Sequence, residues 1–116
     1  MKTAVKRVYE KASKDDGTRV LVDRLWPRGI SKARALISLW MKDASPSNDL
    51  RKWFHEDPEK HWGVFQTKYR AELRSHAAAL KAEFRKLPKP VTLVTGVKDI
   101  ERSHIPVLRK FIESIG

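Results

Sequence analysis

The stretch VLVDRLWPRG, residues 20–29, constrains the fold more than any other. Val20, Leu21 and Val22 are three consecutive aliphatics inside TRVLVDRL, residues 18–25. A strand with one wet face alternates, whereas an unbroken apolar run is buried on both faces, as in a parallel sheet covered by helices. Asp23 and Arg24 then interrupt the run, and Pro27-Arg28-Gly29 ends regular structure. A core strand that ends in charge places that charge at the rim of a sheet.

The rest of the chain supplies the partners of such a strand. AVKRVY, residues 4–9, reads as a first strand, and SKDDG, residues 13–17, as a turn with acceptors and a positive-φ glycine. Ser31 caps a short helix through KARAL. ISLWM, residues 37–41, is either a third strand or the end of that helix, because short apolar runs carry no decisive period. Ser47 caps a helix through LRKWFHE, and Asp57-Pro58 reads as cap plus first-turn proline of the next. Trp62, Phe65, Tyr69 and Leu73 then recur at helical spacing, as do Leu80, Phe84 and Leu87. VTLVT, residues 91–95, is the last strand, and Ile105, Leu108, Ile112 and Ile115 mark a final helix with Pro106 in its first turn. Strands separated by helices predict one α/β domain over residues 1–116, three-layered, with a small, mostly parallel sheet. The topology expected is Rossmann-like without a dinucleotide motif. The close spacing of the early strands leaves room for one antiparallel pairing.

In such sheets ligands bind past the carboxyl ends of the strands. The end of strand 18–25 carries Asp23, Arg24, Trp26 and Arg28, and the loop after VTLVT carries Lys98, Asp99, Arg102, Ser103 and His104. If the two strands are neighbours, their loops face one cationic crevice suited to phosphate or carboxylate. Arg24, Arg28 and Lys98 are the expected anion holders, with Trp26, Lys42 and Ser103 as further ligand-binding candidates. His104 is the candidate for proton transfer, Asp99 its orienting partner, and Asp23 a base or a support for the arginines. Each has a blander role: Asp23 and Arg24 as a paired charge in the sheet, Trp26 as a core lid, Ser103 as a helix cap.

Composition narrows the alternatives. The net charge of +11 favours phosphate-rich partners, so a nucleic-acid-binding module is a second expectation, although no block of like charge forms a basic tail. A structural or protein-interaction domain is the third. The chain has no cysteine, no HExxH and no apolar leader or span. The expectations are therefore a cytoplasmic protein with no membrane partner, no metal and no cofactor. Phosphate-loop, dinucleotide and nucleophile-elbow motifs are missing as well.

RVLVDRLWPRGISK and LWMKDASPSNDLRKWFHEDPEKHWGVFQTKYRAEL resemble the domain of unknown function DUF488, in its short YeaO-like branch. The resemblance runs from about Arg7 to Phe111, and VDRLWPRG, Lys42 to Ser47 and LRKWF carry it most specifically. It implies a small cytosolic α/β protein with no established reaction. Asp23, Arg24, Pro27, Arg28, Lys42, Pro46, Ser47, Arg51 and Trp53 match the family pattern, as do Lys98, Asp99 and His104. The loop LVTGVKDIERSH departs from it. Thr95-Gly96 stands for Tyr-Ala, and Ser103-His104 for the Cys-His of longer members, so thiol chemistry is closed to this chain.

Overall fold

A computed structural model describes residues 1–115. Four strands form one sheet in the order β1-β4-β2-β3: β1 Ala4–Arg7, β2 Thr18–Leu21, β3 Leu39–Trp40 and β4 Val91–Thr95. Among the described residues all three pairings are parallel, and none is the antiparallel pairing left open by the sequence. The reason is that β4 inserts between β1 and β2. Ala4 to Arg7 pair with Thr92 to Thr95, while Thr18 to Leu21 pair with Val91 to Val94. All five β4 residues are buried, as a central parallel strand requires.

Within residues 37–41 a short strand forms, β3 at Leu39–Trp40, and not the end of the preceding helix. β2 needs a partner on its far edge, and Ser38 and Met41 donate their backbone N–H groups to Arg19 O and Leu21 O at 2.8 Å each. β2 is shorter than the 18–25 read from the sequence. Its pairing ends as Val22 N–H reaches Val94 O, and Asp23 already lies beyond it.

The helices start where their caps predict. Ser31 caps α1 (Lys32–Ala35), Ser47 caps α2 (Asn48–Glu56) and Asp57 caps α3 (Pro58–Ser75), each side-chain oxygen accepting a backbone N–H three residues on. α4 (Ala77–Lys86) and α5 (Ile105–Glu113) complete the set. Among the described residues no helix is long and apolar enough to cross a membrane.

The three layers are unequal. On one face Phe54, Phe65, Tyr69, Leu73, Leu80, Phe84, Leu108 and Ile112 close over Val20, Val22, Val91 and Leu93. On the other, Val8, Ala35 and Val94 are covered only by α1 and by Trp26, Ile30 and Ile37. The thick layer is what leaves room for a cavity at the carboxyl ends of the strands.

Candidate functional site

Past the ends of β2 and β4 lies a cavity of about 400 Å³. Three segments wall it: residues 23–25 after β2, the start of α2 through the start of α3, and the loop 97–104 before α5. The neighbouring of β2 and β4 brings the first and last together.

Asp23 is the hinge pin of this arrangement. Its Oδ1 accepts the Thr95 hydroxyl at 2.6 Å, its Oδ2 accepts Gly96 N–H at 2.7 Å, and its backbone oxygen accepts Trp40 Nε1–H at 2.7 Å. One residue thus joins the ends of β2, β3 and β4. Gly96 is required here, because a Cβ would sit 2.9 Å from the Pro27 ring and 3.5 Å from the Asp23 carboxylate. Among the described residues no arginine pairs with the Asp23 carboxylate, so it does not orient the arginines as expected.

His104 lies beneath, buried, with Nε2 2.9 Å from Val22 O and 3.5 Å from Asp23 Oδ1. A carbonyl only accepts, so Nε2 carries the proton and Nδ1 the lone pair. Burial lowers the imidazole pKa; Asp23 and the Val22 carbonyl pull it back up, and His55 pushes it down again. The net direction is down, so the ring is neutral at pH 7. Asp99, its expected partner, makes no hydrogen bond to it among the described residues; Val22 and Asp23 hold Nε2 instead. Ser103 is also committed. Its Oγ donates to Ile100 O at 2.7 Å and accepts Ile105 N–H at 3.1 Å, from the position before His104, the N-cap of α5.

Arg24 spans the back of the cavity. Nε and Nη2 donate to Pro46 O and Ser45 O at 3.2 and 3.3 Å, tying the strand end to the turn before α2. It also borders a second, more acidic hollow of about 430 Å³ beside Glu72, His76 and Glu83. There the Glu72 carboxylate accepts both Ser47 N–H and Ser47 Oγ–H, bracing the α2 cap.

Lys98, Asp99 and Arg102 are exposed on the cavity rim. With Arg24 and Arg51 the cavity carries four cationic side chains against the two carboxylates of Asp23 and Asp99. No carboxylate approaches Arg51, Lys98 or Arg102 within 4 Å among the described residues.

Arg51 and His55 are the residues the sequence reading left out of the crevice. Ser47 fixes the phase of α2, which sets Arg51, Phe54 and His55 at i, i+3 and i+4 on one face, all lining the cavity. Nε of Arg51 is buried without a hydrogen-bond partner, and Nη2 reaches only Asn48 Oδ1 at 3.5 Å. The His55 imidazole is lowered by burial and then by Arg51. The cap signal for this placement was legible; the inward direction of that helix face was not.

Three expected ligand-binding residues lie elsewhere. Trp26 packs on the thin layer, donating Nε1–H to Ile30 O at 2.8 Å and meeting Trp40 edge-on at 5.5 Å. Lys42 covers the Trp40 ring at 4.1 Å. Arg28 is exposed outside the cavity, its backbone oxygen accepting the Tyr9 hydroxyl at 2.6 Å. The buried Pro27 turns the chain away from the crevice before Arg28.

Fold and cavity together define the class: a small all-parallel α/β domain with a polar-rimmed pocket past its strand ends. The chain belongs to the DUF488-N3i family, described as the inactive DUF488-N3 subclade, whose model matches residues 2–115. It is 46% identical over 110 residues to the uncharacterized protein Rv3073c of Mycobacterium tuberculosis, covering 93% of this chain and 91% of that one. The uncharacterized protein Mb3100c of Mycobacterium bovis matches to the same extent. The uncharacterized protein YeaO of Escherichia coli is 39% identical over 117 residues, covering 99% of this chain and 100% of YeaO. No solved structure matches.

Proposed function

We propose that the cavity binds a small phosphate-bearing molecule or nucleotide and holds it without chemistry. One observation carries this: Arg51 lines the cavity with its Nε unpartnered and no carboxylate within 4 Å of its guanidinium among the described residues. An anion in the cavity would give this uncancelled positive charge a charge-assisted hydrogen-bond partner. Lys98 and Arg102 on the rim add charge of the same sign.

The absence of turnover has separate support. Ser103 spends both its donor and an acceptor site on the backbone. His104 Nε2 is held by a carbonyl, and Asp23 by neutral donors that fix the sheet. Membership of a subclade described as inactive points the same way. Acid–base chemistry by His104 through Nδ1 is the finer alternative. The net charge of +11 favours a second reading, nucleic-acid binding, which has a distinct signature in salt.

The test is a thermal-shift series on wild type and Arg51→Met with inorganic phosphate, AMP, sugar phosphates and short oligonucleotides. A ligand at about 100 times its Kd adds about 2.7 kcal/mol, roughly 10 °C in Tm for a chain of this size. A small-molecule shift lost in Arg51→Met is the expected result. Shifts confined to oligonucleotides and fading steeply with salt would replace it with the second reading.

A further inference from the structure

The cations occupy only part of the cavity. Its walls are largely carbon: Phe54 and Phe65 line it, stacked on one another at 4.2 Å and 23°. Pro46, Pro58 and Val97 close the sides, and Leu25 stands at the cavity with 58% of its surface exposed. A polyol or bare inorganic anion would strip water from such walls and set its own hydroxyls against carbon without new hydrogen bonds. A flat ring would instead cover Leu25 and lie against Pro46, Pro58, Val97 and the small exposed part of Phe54. Resting on the anion-binding reading, we infer that the ligand is an aromatic anion: an aryl ring seated against the apolar wall of Leu25, Pro46, Phe54, Pro58 and Val97, its phosphate or carboxylate head held by Arg51 with Lys98 and Arg102.

The geometry of α2 sets the length of that ligand. Arg51 and Phe54 are one turn apart on the same face, so head and ring contacts are separated by roughly 5–6 Å. An aryl group carrying its anion directly or through one or two bonds spans that distance. The planar guanidinium suits either head, since carboxylate and phosphate both accept two parallel N–H bonds. The volume of about 400 Å³ lies within the range of small-molecule sites, near its lower end.

Calorimetric titration of the full chain at fixed salt separates the two contributions. The probes are 1-naphthyl phosphate, phenyl phosphate, inorganic phosphate, glucose 6-phosphate and uncharged 1-naphthol. The aryl phosphates are expected to bind about tenfold tighter or more than inorganic phosphate and glucose 6-phosphate, and also than 1-naphthol. Arg51→Met should remove the advantage of naphthyl phosphate over naphthol. Arg102→Ala, an exposed rim change that leaves the fold alone, should shrink the same advantage. Equal binding of glucose 6-phosphate and phenyl phosphate overturns the aromatic inference and leaves anion binding standing. Equal binding of naphthol and naphthyl phosphate, or no binding by any probe, overturns both.

Discussion

β2 has a buried or nearly buried aspartate at each end, and the two are treated in opposite ways. Before the strand, the Asp16 carboxylate meets Lys6 Nζ at 2.8 Å and Arg19 Nη1 at 2.7 Å, and accepts Ser13 N–H at 2.9 Å. Arg19 goes on to donate to Ala35 O and Leu36 O. After the strand, Asp23 is satisfied by a hydroxyl and a backbone N–H, and its ion-pair contact is a histidine that is neutral at pH 7. Charge is consumed at the first end. At the second the guanidiniums of Arg51 and Arg102 are left over, facing a cavity. A charge cancelled by a partner stabilises a fold; a charge held near the surface of a cavity without one is available to a ligand.

The largest effect expected from this contrast is on stability. Arg19→Met leaves Asp16 with Lys6 and Ser13 N–H and removes the donors to the buried Ala35 carbonyl and to Leu36 O, a change worth about 3–5 kcal/mol. Thermal unfolding should show Tm falling by roughly 10–20 °C. Arg51→Met, the same substitution at the other end, removes an unpartnered Nε and only a long, exposed contact to Asn48, and should leave Tm within about 2 °C of wild type or raise it. Equal losses in the two variants would mean that Arg51 is as structural as Arg19, and the contrast would be gone.

That contrast was only half legible in the sequence. Parallel architecture followed from Val20-Leu21-Val22, and the helix starts from Ser31, Ser47 and Asp57, because these signals are local. The meeting of Asp23, Arg24, Lys98 and His104 followed from strand-end placement. Insertion of β4 between β1 and β2 is a choice among pairings that differ only in long-range contacts, and nothing near residues 4–21 encodes it. The fates of Trp26 and Arg28 hang on the direction in which Pro27 turns against Gly96, a contact 69 residues apart. Asp16 and Arg19 gave no sign of their pairing because a turn aspartate and a strand arginine are ordinarily solvated.

A smaller effect separates the two ends by pH. Asp16 is raised by burial but pulled further down by Lys6, Ser13 and Arg19, to about 2. Its unfolded value is near 3.9, so its contribution is complete above that pH and is lost as pH falls through about 2. His104 acts earlier. Its folded pKa is lowered by burial, so below about pH 6.5 the unfolded chain takes a proton that the native ring refuses. Stability is therefore full above about 6.5 and falls below it, by up to ~1.4 kcal/mol per pH unit. His55, also lowered, adds in the same direction. Urea unfolding of His104→Gln should show a shallower slope between pH 7 and 5, while Asp16→Asn should keep the wild-type slope there. An unchanged slope in His104→Gln would show that the ring is protonated in the native protein, and the cavity end would then hold an ion pair after all.

The smallest expected effect falls on Arg28, one of the three anion holders expected from the sequence. Arg28 follows Pro27 on the exposed side of the turn, and its backbone, not its guanidinium, makes the contact with Tyr9. Arg28→Ala should change stability by less than about 0.5 kcal/mol, as exposed substitutions away from caps and networks do. It should also leave naphthyl phosphate affinity unaltered, where Arg102→Ala lowers it. The two arginines carry the same charge, so a loss of affinity from Arg28→Ala equal to that from Arg102→Ala would mean the ligand senses the net field and not the cavity. Raising the salt then discriminates further: attraction by a distributed field collapses within a Debye length of about 8–10 Å, whereas contacts inside a walled pocket persist. Binding that survives both Arg28→Ala and added salt, but not Arg102→Ala, places the ligand at the Asp23 end of the strand.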